Sequence, residues 1–291
     1  MIRAMPGLLL IGLTLTAALP ACRPAAPPVN VREFPLTGQI LAINPDRRGA
    51  TVTHDDVKGF MDAMTMVFTI KEPKELDGLQ PGDLISATLV ITDDEGFLKG
   101  LRKTGTAPLP ATPAGAAPAV PLLQPGELVP AIAFVGRDGK PRPLAAYRGR
   151  FVLMTFIYSR CPLPDYCPRM NAHFAALQKA IAARPALAGQ VRLLSISFDP
   201  DFDTPAQLTK SAAAAGADPA VWEFVTAPRD VVDGFGARFG LSLTREGPNG
   251  QTITHNLRTP LIGRDGTLVT QYNGNDWSPD AVVRDLEGLV K

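Results

Sequence analysis

The spacing of apolar positions changes along the chain, and the changes divide it into five segments. After a single charge at Arg3, an apolar run extends from Gly7 to Leu19 and gives way to small residues before Cys22. That run is too short to span a bilayer comfortably and has the flanks of a secretory signal, so residues 1–22 are set apart from the fold. Residues 23–31 are Pro/Ala-rich and form a tether. Residues 32–104 hold short β-branched runs, "TGQILAI", "GATVTH", "MTMVFTI" and "LISATLVI", punctuated by Gly, Pro and Asp. No stretch of useful length among them has a 3.6-residue period, which predicts a small all-β barrel or sandwich. Residues 105–125 hold six prolines and no charge. Such a segment buries no core and favours extended geometry, so it is expected to link two domains.

From residue 126 to residue 291 strands and helices alternate. "FVLMTFIYS" and "VRLLSISFD" are continuous apolar strands, each buried on both faces. "PRMNAHFAALQKAIAAR" is a helix stacking Met170, Phe174, Leu177 and Ile181 on one face, and "TPAQLTKSAAAAG" is another. "TPLIGRDGTLVTQYNG" is two strands about an Asp265-Gly266 turn, and "SPDAVVRDLEGLV" is a last helix. This order predicts an α/β domain with a central mixed sheet flanked by helices.

Length and charge narrow the function. The 291 residues suffice for two ordinary domains. A net charge of +1, with no basic stretch interleaved with aromatics, leaves nucleic-acid binding without an electrostatic basis. There are only three cysteines. Leu19-Pro20-Ala21-Cys22 resembles a bacterial lipobox, which implies lipidation at Cys22 and a chain anchored to a membrane on its periplasmic or extracytoplasmic side. A plain signal peptide cleaved near Ala21 is the alternative.

The other two thiols fall in "YSRCPLPDYCPRM", just after a buried strand and just before a helix. Pro168 suits the first helical position, which predicts Cys167 as the N-cap. A thiol there feels the positive end of the helix dipole, and its pKa falls. Two thiols so close outside the cytosol make a disulfide, a redox pair or a clamp for a soft metal.

From residue 126 onward, "GELVPAIAFVGRDGKPRPLAAYRGRFVLMTFIYSRCP" resembles the opening of a thioredoxin-fold protein of the Sco/SenC family. That family carries C-P-x-x-C-P and a distant histidine, and binds copper during cytochrome c oxidase assembly. Here the motif runs Cys161-Pro162-Leu163-Pro164-Asp165-Tyr166-Cys167-Pro168, two residues longer than the usual spacing. The family's "SFDP…DTP" segment matches Phe198-Asp199-Pro200 and Asp203-Thr204-Pro205. Its histidine matches His255, ten residues before Asp265. The resemblance implies Cys161, Cys167 and His255 as copper ligands, with the two thiols also able to exchange with a disulfide. His173, beside the apolar helix stripe, is expected to be structural.

Three of the seven methionines, Met61, Met64 and Met66, lie within "GFMDAMTMVF". Met64, Met66, Phe68 and Ile70 share one face of a strand, which core packing alone would explain. Thioethers with an imidazole are also a soft ligand set, apt for Cu(I). Residues 32–104 resemble the small periplasmic copper-binding domain of the CusF type, an OB-like five-stranded barrel using a histidine and then W-x-x-M-T-M. His54, Met64 and Met66 match it, and Met61 stands where the tryptophan would be. The resemblance implies these residues as a second copper site, with Met61 as a third thioether in place of the cation–π cover.

Together these features predict an exported, lipid-anchored metallochaperone handling Cu(I), Cu(II) or both, whose partner is the copper-receiving subunit of a respiratory oxidase. A thioredoxin-type thiol–disulfide reductase and a copper-sequestering or sensing protein are the alternatives. The linker predicts that the two modules bind copper independently.

Overall fold

The computed structural model describes Met1 and residues 30–110, 120–246 and 252–290. The signal segment, Cys22 and most of the expected tether lie outside them.

Five strands close into a barrel: β1 (Arg32–Ile43), β2 (Gly49–His54), β3 (Met64–Ile70), β4 (Asp83–Ile91) and β5 (Gly96–Thr106). β1 pairs antiparallel with β2 and β4, β2 with β3, and β4 with β5, while a short parallel contact between β3 and β5 closes the ring. Inward and outward positions alternate along β3, so Met64, Met66, Phe68 and Ile70 all face the barrel interior. β5 was not foreseen. After Phe97 and Leu98 it carries Lys99, Arg102 and Lys103 exposed to solvent, and its apolar signal is too brief for a strand of that length.

The second domain is built on a seven-stranded mixed sheet. β8 (Phe151–Ile157), β9 (Val191–Ser197) and β10 (Trp222–Thr226) run parallel at its centre. On one side β13 (Arg258–Ile262) and β14 (Leu268–Asn273) continue it antiparallel; on the other β6 (Ala133–Gly136) and β7 (Pro141–Pro143) do the same. Four helices flank it: α1 (Cys167–Ala182), α2 (Pro205–Ala214), α3 (Arg229–Ala237) and α4 (Pro279–Leu289). A separate hairpin, β11 (Leu243–Glu246) with β12 (Thr252–His255), projects from the sheet. A mixed-sheet α/β domain flanked by helices is thus preceded by a small closed all-β barrel, as the resemblances imply.

Burial follows the expected faces. Every residue of β8 is buried, and so are Met170, Phe174, Leu177 and Ile181 of α1. Phe174 is fully buried with its ring 5.8 Å from that of Trp222. Phe174→Ala is expected to lower stability by about 3–5 kcal/mol, measured by denaturant titration, because the cavity cannot refill against a rigid sheet. His173 packs its ring on Trp277 at 4.5 Å, in keeping with a structural role.

The expected linker is shorter at both ends than its composition suggests. Gln39 Nε2 donates to the carbonyls of Ala107 and Pro108 at 2.8 and 3.1 Å, tying the segment after β5 to the barrel. Leu123 is buried in the second core, and its N–H donates to Arg238 O at 2.8 Å. Nor do the two domains stand apart. β12 lies against β3, and the loop between β8 and α1 is wedged against the barrel. Independent copper binding, which was expected from the linker, therefore loses its premise.

Candidate metal centre

The loop carrying both thiols starts where β8 ends, and its first residues are held by the Phe198–Pro205 segment. Asp203, fully buried, accepts from the Ser159 N–H at 3.0 Å and from the hydroxyls of Ser159 and Ser197. Asp199 accepts from Arg160 Nε at 2.8 Å, and its carboxyl is pushed up by burial although Arg160 opposes the shift. The "SFDP…DTP" motif thus acts as an anchor, fixing the two residues before Cys161. At the far end the helix begins one residue earlier than expected. Tyr166 is the N-cap, Cys167 the first helical residue and Pro168 the second. Proline still fits, because the N–H it lacks would have had no partner in the first turn.

The structure brings Cys161, Cys167 and His255 together. Both cysteines are free thiols, and the two sulfurs and an imidazole nitrogen all lie within 4.8 Å of one another, the one such group among the described residues. His255 Nε2 is 3.7 Å from Cys167 Sγ, and Nδ1 lies 2.9 Å from Asn256 O. A carbonyl only accepts, so Nδ1 carries a proton, and Nε2 is the nitrogen turned to the sulfurs. The ring is walled by Phe198, Tyr158 and Tyr166 at 4.8, 5.6 and 5.9 Å, which holds its plane.

The helix-terminus argument chose the wrong thiol. Cys167 is buried, and that burial with the adjacent Cys161 sulfur pushes its pKa well up. Burial opposes ionisation of Cys161 too, but hydrogen bonds from Cys167 and His255 outweigh it and hold Cys161 well below the usual thiol range. Cys161 is therefore the sulfur of the pair that favours ionisation, with Cys167 as the neighbouring thiol. A helix dipole acts within a turn, but here a direct bond decides.

In the barrel, His54 stands opposite Met64 across the β2–β3 pair and is 2% exposed. Its Nδ1 lies 2.7 Å from Asp55 O, the same device that orients His255, and its Nε2 has no hydrogen-bond partner. Burial lowers its pKa, so the ring is neutral with a free lone pair. A buried polar atom left unpaired costs about 1–3 kcal/mol, which a core histidine would ordinarily avoid. A soft cation held with the Met64 and Met66 thioethers would satisfy it, and the donor set fits Cu(I). Met61 lies just before β3, bridged to Val57, and with Met64 lines a hollow of about 210 Å³.

Sequence reasoning missed the residues that join the two sites. Leu163 of the cysteine loop is 2% exposed and packs into the barrel core rather than its own. Tyr166 Oη donates to Val67 O at 2.7 Å, the Gly96 N–H donates to Asp165 Oδ1 at 3.2 Å, and Arg169 Nη2 donates to Asp94 O at 2.8 Å. Asp165 is held from its own domain as well, its carbonyl accepting from Asn275 Nδ2 at 2.7 Å, and burial pushes its carboxyl up to about 6. The signal available in the sequence was the loop itself, two residues longer than the family spacing and carrying one apolar, one acidic and one aromatic side chain.

Comparison with known proteins agrees with both halves. Residues 123–291 match the family model described as SCO1/SenC, and residues 33–103 match the one described as copper binding periplasmic protein CusF. A curated relative, the SCO1 protein homolog of Bacillus subtilis strain 168, is 30% identical over 156 residues, 53% of this chain and 78% of its own length. A SCO1/SenC family lipoprotein structure from Bacillus anthracis is 25% identical with a TM-score of 0.51, covering 58% of this chain and 99% of that one. The structure of BsSco, a member of the Sco family of cytochrome c oxidase assembly proteins, is 30% identical with a TM-score of 0.49, covering 58% of this chain and 97% of its own.

Proposed function

Since the chain belongs to the SCO1/SenC family, we propose that it is an exported copper metallochaperone that supplies copper to the binuclear copper site of a respiratory oxidase. The observation that carries this reading is the meeting of Cys161, Cys167 and His255 within 4.8 Å. Two sulfurs and one neutral imidazole are a soft, low-coordination set that suits copper in either oxidation state. The half-buried position of Cys161 leaves the set reachable by a partner. His54, Met61, Met64 and Met66 form a second site, of thioethers and imidazole, selective for Cu(I) and indifferent to the disulfide chemistry of an oxidising compartment. The matched region of the periplasmic CusF protein and the lipoprotein relative support an extracytoplasmic location, and Cys22 supplies the lipid anchor.

A second reading has an observation of its own. A thiolate beside a second thiol is what a thiol–disulfide reductase needs, and here it would prepare the oxidase cysteines rather than carry their metal. Copper titration tests the first reading directly. The reduced chain is expected to take two Cu(I), and the double variant Cys161→Ser, Cys167→Ser one, with loss of the ultraviolet absorption of Cu(I)–thiolate bonds. A double variant that matched the wild type in stoichiometry and spectrum would remove the pair from copper handling.

A further inference from the structure

Three hollows lie in series across the boundary between the domains, each sharing a copper-competent side chain with the next. The first, about 210 Å³, is lined by Met61 and Met64 of the barrel and by Arg160 and Pro162 of the cysteine loop. The second is much smaller, about 10 Å³, and is lined by Met64 and Met66 on one side and by Cys161 and His255 on the other. The third, about 420 Å³, opens on the far side of the pair and is lined by Cys161, Cys167, Asn171 and Ser211. Met64 belongs to the first and second, Cys161 to the second and third, and Tyr158 to all three.

We propose that copper passes through this one chain without entering solvent, from Met61 and Met64, across the narrow hollow, to Cys161 and His255, and out by the cleft beside Cys167. The inference rests on the copper reading of both sites and adds the route between them. The narrow hollow holds about one water-sized sphere, enough for a bare ion and too little for a hydrated one. Copper there has donors from both domains at once, so each new bond can form before an old one breaks. The metal remains Cu(I) throughout. Bonds to the Met64 and Met66 thioethers break as bonds to the Cys161 and Cys167 sulfurs and to His255 Nε2 form, and any thiol proton displaced goes to water. Thioethers are neutral and bind more weakly than thiolates, which sets the direction.

The junction is built to stay closed. Leu163 fills the barrel core, and Tyr166, Asp165 and Arg169 each make a hydrogen bond across the boundary. The longer cysteine loop therefore has a use: it is the part of the second domain that seals the barrel mouth. Gly96 is fitted to this contact. A Cβ there would lie 3.0 Å from Ile91 Cδ1, 3.4 Å from Leu163 Cδ2 and 3.5 Å from Asp165 Oδ1, so a valine would wedge the loop away.

The test starts from the full chain with its two thiols oxidised to a disulfide and one Cu(I) on the barrel. A phosphine then reduces the disulfide, becoming phosphine oxide, while the Cu(I)–thiolate absorption is timed against thiol release in the copper-free chain. In the wild type the absorption is expected to keep pace with thiol release at every protein concentration. In Gly96→Val and in Leu163→Asp, both of which should still take two Cu(I), copper must travel through solvent. The absorption should then lag and quicken with concentration. At about 10 µM chain, passage from one chain's barrel to another's pair is expected to be roughly 100-fold slower than passage within one chain, whose covalently joined sites meet at an effective concentration on the order of 1 mM. Variants that keep pace with the wild type, or a wild-type rate proportional to chain concentration, overturn the route. If no chain shows thiolate absorption even with excess Cu(I), the copper site at the pair falls with it, which the variants alone would not reveal.

Discussion

His255→Ala is expected to abolish Cu(II) binding at the cysteine pair while leaving most of the reactivity toward a small disulfide. The two activities use different parts of one site. Thiol exchange needs a nucleophilic sulfur, a second sulfur to resolve the mixed disulfide and access for the partner. Cys161 and Cys167 supply the sulfurs, and Cys161 is only partly buried. Removing the imidazole takes away one of the hydrogen bonds that lower the Cys161 pKa, but the bond from Cys167 remains. Copper has no such reserve. Two sulfurs alone leave Cu(II) two-coordinate, with no nitrogen donor to balance the thiolates. The lost Nε2 is a direct donor, so the affinity should fall by at least the roughly 10–100-fold that outer-shell partners typically carry. Because the ring fills a space between Phe198, Tyr158 and Tyr166, the alanine variant also opens a cavity. His255→Phe is the control that keeps the ring, and it should lose Cu(II) equally. Cu(II) titration by visible absorption checks this, beside turnover of a small disulfide. Unchanged Cu(II) affinity in both variants would exclude the imidazole as a ligand, and normal oxidase copper loading in cells with only His255→Ala would favour the reductase reading.

The legibility of this chain differs between what is local and what is assembled. β2 and β3 could be bounded from the sequence, because "GATVTH" and "MTMVFTI" are each framed by turn residues, while "FVLMTFIYS" located β8 but ran two residues past its end at Ile157. β12 and β5 could not. β12 has four residues and takes its place from pairing with β11, and β5 is mostly polar because one side faces water. The candidate ligands were legible as residue types at suggestive spacings. What the sequence could not convey was electrostatic order and relative position. Which thiol ionises depends on Cys167 and His255 both bonding to Cys161, across 88 residues of chain between Cys167 and His255. The facing of the two sites depends on Leu163 choosing the neighbouring core over its own. Composition pointed to a linker and so to separation, but a linker limits only how far two domains can part, not whether they dock.

In the barrel, stability and copper affinity are expected to respond separately to substitution. Met64→Ile with Met66→Ile keeps side-chain volume nearly constant, so each should cost less than about 1.5 kcal/mol and leave the barrel folded. Both methionines are inward and almost fully buried, which is why packing alone would explain them. The double variant should nevertheless take one Cu(I) instead of two, because isoleucine packs as well but donates nothing. His54→Phe sharpens the distinction. The ring already meets Phe68 edge-on at 5.5 Å, and its Nε2 is buried without a partner. A phenyl group keeps the contact and removes the unpaired nitrogen, although it also gives up the Nδ1 bond to Asp55 O. Losing a buried orphan should return about 1–3 kcal/mol, more than the roughly 1 kcal/mol net value of the lost hydrogen bond. The copper-free His54→Phe chain should therefore melt no lower than the wild type, while its barrel no longer retains Cu(I) against a competing chelator. A histidine present for packing would give the reverse pattern, a lower melting temperature and two equivalents of Cu(I) still bound.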